Sequence, residues 1–139
     1  MSANPLCFVD TNILLYAYSD ADDPRSAKAF ALVQRLLTSD QFCISTQVIQ
    51  ELLFNLRKKK TLPTATAIML VENLVQFPCF QVDVFAITQA NLAADRHKIS
   101  YWDALILTAA ARLGATTIYS EDLNHGQHYD GIELINPFA

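Results

Sequence analysis

The chain has no close pair of cysteines, no long apolar run and no basic excess. Cys7, Cys43 and Cys79 are odd in number and far apart, which argues against a disulfide framework or a zinc site. Each lies in a short apolar run that reads as a strand, so all three are expected as small buried hydrophobes. No stretch approaches the roughly 18 uninterrupted apolar residues of a membrane span. Met1 to Asn4 lack the charged-then-apolar layout of a signal peptide, so the expected compartment is the cytoplasm. The net charge is −4, from 14 acidic and 10 basic residues, where a nucleic-acid binder usually carries a basic surplus. Repeats, low-complexity segments and linkers are also missing, so residues 1–139 are expected to form a single domain.

What the chain does have is apolar material, 52% of its residues, enough for one core with surface left for a subunit interface. Apolar runs alternate with helical stretches. Strands are expected at Leu6–Val9, Phe42–Ser45, Phe80–Val84, Thr116–Tyr119 and Ile132–Ile135. Helices are expected at Ile13–Tyr18, Ser26–Leu37, from Thr46 into Arg57-Lys58-Lys59-Lys60, from Pro63 to about Val75, at Phe85–His97, and from Ser100 to a stop at Gly114. Asp20, Asp22, Asp23 and Pro24 read as a turn, and Ser120–Gly131 as a polar loop. Alternating strands and helices predict an α/β fold with a mostly parallel central sheet and helices on both faces. In such folds sites form beyond the carboxyl ends of the strands.

Four acids fall where that rule points. Asp10 follows the first strand and Asp122 the fourth. Glu51 lies in the helix after the second strand, and Asp103 in the first turn of the Ser100 helix. Convergent carboxylates make a hard, oxygen-rich site suited to Mg²⁺ or Mn²⁺. Each acid alone has a plainer explanation. Asp10 before Thr11-Asn12 fits a turn former or helix cap, and Ser100 to Asp103 fits a capping box. Glu51 fits a helix flank beside Asn55, and Asp122 an ordinary loop acid. The joint placement is what points to a site.

The segments FVDTNILLYAY, VIQEL, SYWDALILTAA and IYSEDLNHGQ, in this order across essentially the whole chain, resemble the PIN domain, and within it the VapC-like toxins of bacterial toxin–antitoxin pairs. The resemblance implies a three-layer α/β/α PIN-like fold and metal-dependent hydrolysis of RNA. By position, Asp10 and Asp103 become the principal metal ligands, completed by Glu51 and Asp122. Thr11, Asn12 and Ser120 match the supporting polar residues. The pattern favours Asp122 over Glu121 as the fourth acid, two positions after Ser120. A small antitoxin partner and a homodimer are further implications. An RNA-processing nuclease without an antitoxin, and a non-catalytic module on the same fold, are the alternatives.

Phosphodiester hydrolysis at neutral pH needs an activated water and charge relief at phosphate, and a bound divalent ion supplies both. In-line attack by water would leave a 5′-phosphate and a 3′-hydroxyl, with the RNA 2′-hydroxyl a spectator. Without the four site acids, acids and bases balance at ten each. The bases are clustered at Arg57, Lys58, Lys59 and Lys60 and at Arg96 and Lys98, either of which suits RNA phosphates or a solvated helix end. His125 and His128 in a polar loop read as solvent-facing, and Tyr101 and Trp102 as packing residues. A receiver-type domain would need a lysine after a late strand, and none follows Lys98. A haloacid-dehalogenase-type enzyme would need an acid at position 12, which is Asn.

Overall fold

The computed structural model describes residues 4–19 and 22–139. Six strands form one sheet: β1 (Cys7–Val9), β2 (Phe42–Ser45), β3 (Cys79–Phe80), β4 (Thr117–Tyr119), β5 (His128–Tyr129) and β6 (Ile132–Ile135), in the order β3-β2-β1-β4-β6-β5. Every neighbouring pair is parallel except β5 with β6. Strands covered on both faces need side chains apolar in both directions. Accordingly β1 and β2 are buried at every position, with Phe8, Phe42 and Ile44 fully enclosed. Each such side chain contributes about 1.5–3 kcal/mol through burial.

The helices are α1 (Thr11–Tyr18), α2 (Pro24–Thr38), α3 (Thr46–Lys58), α4 (Thr64–Leu74), α5 (Val84–His97) and α6 (Tyr101–Leu113). Helix α1 packs on α2 and α3, and α3 on α4, while α5 and α6 pack on each other and α6 lies along β2, β3 and β4. The result is the expected three-layer α/β/α arrangement with a mostly parallel sheet. From β1 the chain moves outward to β2 and β3 on one side, then crosses back to β4 on the other. The carboxyl ends of β1 and β4 therefore flank the point where the strand order reverses, the crevice in which α/β sheets place their sites.

Local signals set the element ends. Asp10 caps α1, which begins at Thr11 rather than Ile13. Asp23 caps α2, with Pro24 in the first turn, two residues earlier than the apolar spacing suggests. Asp20, expected in the turn before it, lies outside the described residues. Gly114 closes α6 at φ 76°, a left-handed conformation that glycine adopts without side-chain strain. The third strand was expected over Phe80–Val84 but holds only Cys79–Phe80, because Asp83 accepts a hydrogen bond from the Ala86 N–H (2.8 Å) and starts α5. The expected loop Ser120–Gly131 contains β5, which turns back onto β6 through Asp130 (φ 52°) and Gly131 (φ 85°). Two positive φ angles in sequence are what a tight two-residue hairpin demands. Cys7 and Cys43 are buried and free, as expected, while Cys79 is only half-buried. No helix among the described residues is long and apolar enough to cross a membrane.

Candidate active site

Asp10 lies at the junction of β1 and α1 and is 5% exposed. Its Oδ1 accepts the Thr11 N–H at 2.7 Å and its Oδ2 accepts the Ser120 hydroxyl at 2.7 Å. Ser120, fully buried, follows β4 and in turn accepts the Asp122 N–H at 3.1 Å. The two strands at the reversal point are thus joined at their ends through one carboxylate. Burial pushes the Asp10 carboxyl up to about 7, the charges of Asp122 and Glu51 add to the rise, and the two donated hydrogen bonds oppose it.

The other expected residues gather around it. Thr11 donates its hydroxyl to Glu51 Oε1 at 2.6 Å, so one residue bridges the first and second acids. Asn12 hydrogen-bonds the Asp122 carboxylate and accepts the Glu121 N–H at 3.3 Å. The Asp122 carboxyl is also raised, first by loss of solvent and then by the charge of Asp103, with the charges of Glu121 and Glu51 pushing less strongly the same way. Asp103 stands in the first turn of α6, its N–H bound to the Ser100 hydroxyl at 3.1 Å. The capping geometry expected of Ser100 and Asp10 is therefore real, and it coexists with convergence of the acids. Asp10, Glu51, Asp103 and Asp122 come from four different elements; Asp10 senses the charges of Asp122 and Glu51, and Asp122 those of Asp103 and Glu51.

Glu121 has a different role. Its carboxylate accepts the Tyr16 hydroxyl at 2.8 Å and pairs with Arg25 at 3.0 Å. Arg25 also pairs with Asp23 at 2.7 Å and lies over the Tyr16 ring. Gln47 is a site residue that sequence reasoning passes over. Buried one turn before Glu51, it donates to Glu51 Oε2 at 3.4 Å and to the Trp102 carbonyl at 3.2 Å, tying α3 to α6. Its i, i+4 spacing to Glu51 was the available signal.

Among the basic residues, Arg57, Lys58, Lys59 and Lys60 are all exposed. Arg96 pairs with Asp130 at 2.7 Å, and Lys98 ends α5 in a left-handed conformation. His125 and His128 are exposed, as expected of solvent-facing residues, and His125 Nδ1 accepts the Asn136 N–H at 3.0 Å. Trp102 departs from expectation. The sequence reads it as a packing residue, yet it is 62% exposed: the buried positions of α6 begin at Ala104, and position 102 in the first turn stays open.

The donors at the cluster are carboxylate, hydroxyl and amide oxygens, with no thiol or imidazole, which fits a hard divalent cation. Asp10, lifted mainly by burial and further by like charges, gains from a cation that holds it ionised. Among the described residues no three acids, histidines or cysteines form a ready-made metal cage.

Comparison with curated protein sequences returns no match. Among solved structures, the chain is similar to the VapC20 toxin of Mycobacterium tuberculosis, described as cleaving the sarcin–ricin loop (TM-score 0.66, 23% identity, covering 84% of this chain and 89% of that one). It is also similar to a chain of a toxin–antitoxin complex from Klebsiella pneumoniae (TM-score 0.71, 18% identity, 98% of both chains). DNA-bound VapBC from Salmonella typhimurium matches at TM-score 0.64 and 18% identity, over 94% of this chain and 97% of that one. At these identities the likeness is one of fold. The family model of the PIN domain matches residues 7–130, and the chain belongs to the PIN domain family.

Proposed function

We propose that this protein is a Mg²⁺- or Mn²⁺-dependent endoribonuclease, a single PIN domain over residues 1–139 acting in the cytoplasm as the toxin of a toxin–antitoxin pair. PIN domains are nucleases, which sets the reaction class. The observation that carries the reading is Asp10. A buried carboxylate fixed by Thr11 and Ser120, raised to about 7 and facing Glu51 and Asp122, has no structural need for its charge. Its cap bond alone would be served by Ser or Thr. An acid there suits cation binding.

In this reading Asp10 and Asp103 hold the cation, and Glu51 and Asp122 complete its surroundings directly or through water. The cation supplies charge relief at phosphate and a lower pKa for water. The remaining groups orient. Ser120 and the Thr11 N–H fix both oxygens of Asp10, the Thr11 hydroxyl and Gln47 fix Glu51, and Asn12 steadies Asp122. Such supporting bonds typically govern affinity by 10- to 100-fold. The hydrolysis uses water rather than the 2′-hydroxyl. RNA with one deoxynucleotide at the scissile position is expected to be cut, with saturable dependence on Mg²⁺. Complete resistance of that RNA while binding persists would overturn the mechanism.

The toxin role rests on the fold shared with VapC20 and with chains of antitoxin complexes. A short neighbouring reading frame whose product co-purifies with this chain and covers the acidic site would support the antitoxin; a neighbour whose product does not bind would count against it. Exposed Ile68 and Met69 on α4 and Val84, Phe85 and Leu92 on α5 support a homodimer, testable by sedimentation.

A further inference from the structure

Two clefts open beside the carboxylate cluster, one along α3 and the other between α1 and the C-cap of α3. The first, about 400 Å³, is lined by Gln47, Gln50, Glu51, Phe54, Asn55 and Trp102. Phe54 and Trp102 are 65% and 62% exposed, so two aromatic side chains stand in the open beside a site acid. The second, about 410 Å³, includes Asn12, Tyr16, Ser19, Lys59 and Thr61. It continues through Ser19, Lys59 and Thr61 into a further polar cleft that adds Lys60. Glu51, Asn55 and Lys59 follow one another at i, i+4 spacing, so they lie along one flank of α3 and its C-cap and link the two clefts. Each cleft touches the cluster, one at Glu51 and the other at Asn12.

The chemistry differs between them. Neither Lys59 nor Lys60 has an ion-pair partner among the described residues. The acid on the wall of the lysine cleft, Asp23, is already engaged by Arg25. By contrast Arg57 faces a separate apolar cleft with Leu53, Leu62 and Ile68, and Arg96 is spent on Asp130. Open aromatic faces next to a groove with free cations are how single-stranded nucleic acid is held without sequence readout, bases on the rings and phosphates on the cations.

Resting on the nuclease reading, we propose that a single RNA strand lies along α3 across the carboxylate cluster. Trp102 and Phe54 stack bases on one part of the path, and Lys59 and Lys60 hold backbone phosphates on the other. These are positioning residues, and they act on the strand rather than on the scissile bond.

Trp102 is the sole tryptophan of the chain, so its emission reports on the path directly. The experiment titrates full-length Asp10→Asn, which cannot consume the probe, with a single-stranded RNA of about ten nucleotides. The expected result is quenching of Trp102 emission on binding. Lys59→Ala with Lys60→Ala should lower the log–log salt slope by about 1.4, the value for two phosphate contacts on a single strand. Phe54→Ala should weaken binding about tenfold with the slope unchanged, and Phe54→Tyr should restore it. Lys28→Ala, an exposed cation on α2, is the charge control and should change nothing. Binding without quenching, an unchanged slope in the double variant, or no binding at all would overturn the path. So would a Phe54→Ala variant that changes only the oligomeric state or antitoxin capture, since the aromatic cleft would then be a protein interface. RNA cleavage by the parent protein is scored separately. Cleavage without the path leaves the nuclease standing, and the path without cleavage removes the nuclease alone.

Discussion

Asp10 and Asp23 hold the same local post, the N-cap of two successive helices, and differ in everything beyond it. Each accepts a backbone N–H at the start of its helix, from Thr11 at 2.7 Å and from Arg25 at 2.9 Å. Asp23 is partly open to solvent, and the Arg25 side chain holds its carboxyl below the ordinary value. Asp10 is buried among like charges and raised to about 7. Capping therefore says little about whether an acid is functional. The distinction lies in the company the second oxygen keeps: a guanidinium satisfies Asp23, whereas Ser120 only orients Asp10.

The largest effect should separate the two caps outright. Asp10→Asn keeps the shape of the cap and should reduce metal-dependent RNA cleavage by about a thousandfold or more, since the cation loses a principal ligand. Asp23→Asn should leave cleavage within about twofold. Comparable loss from both variants in the same assay would show that α1 and α2 geometry, not charge at Asp10, sets activity. Next in size is the neighbouring acid pair. Asp122→Asn should lower cleavage by about 10- to 100-fold, and Glu121→Gln by less than about threefold, because Glu121 serves Tyr16 and Arg25. Reversal of that order would move the fourth acid to position 121.

Smaller again is the orienting bond. Ser120→Ala removes the donor on Asp10 Oδ2 and should weaken Mn²⁺ binding, measured by calorimetry, about tenfold. The smallest effect is on stability without metal. A raised carboxyl stays protonated in the fold after the unfolded chain has ionised. The metal-free protein should therefore lose stability as pH rises from the ordinary aspartate value of 3.8 to about 7. Asp10→Asn should flatten that decline and raise the melting temperature near neutral pH by ~5 °C, with no gain in acid. Asp23 has the opposite sign. Its contribution is present above 3.8 and is lost as pH falls below it, so Asp23→Asn should cost a little near neutrality and nothing in strong acid. Melting curves of the three proteins in chelator check both slopes.

Much of the fold could be read along the chain because its elements announce themselves locally. The apolar stripe of α3 and the Ser100-to-Gly114 frame of α6 lie where spacing puts them. The misses were short features. Strand β3 gives way to the Asp83 cap, and β5 exists only through its pairing with β6. Asp130-Gly131 was a hairpin signal in plain view, hidden by the polar residues before it. Trp102 was misread because one position in a helix start does not reveal which flank stays open.

By itself the sequence determined the alternation of strands and helices, hence a parallel sheet, and the positions of four acids near strand ends. Periodicity and turn chemistry act over a few residues, so they are legible in order. Tertiary structure alone decided which acids meet and what each one feels. Glu121 and Asp122 are adjacent in the chain, yet Tyr16 and Arg25, about a hundred residues away, take one of them and leave the other to Asn12 and Asp103. Burial and long-range charge act through space, and only the folded chain sets those distances.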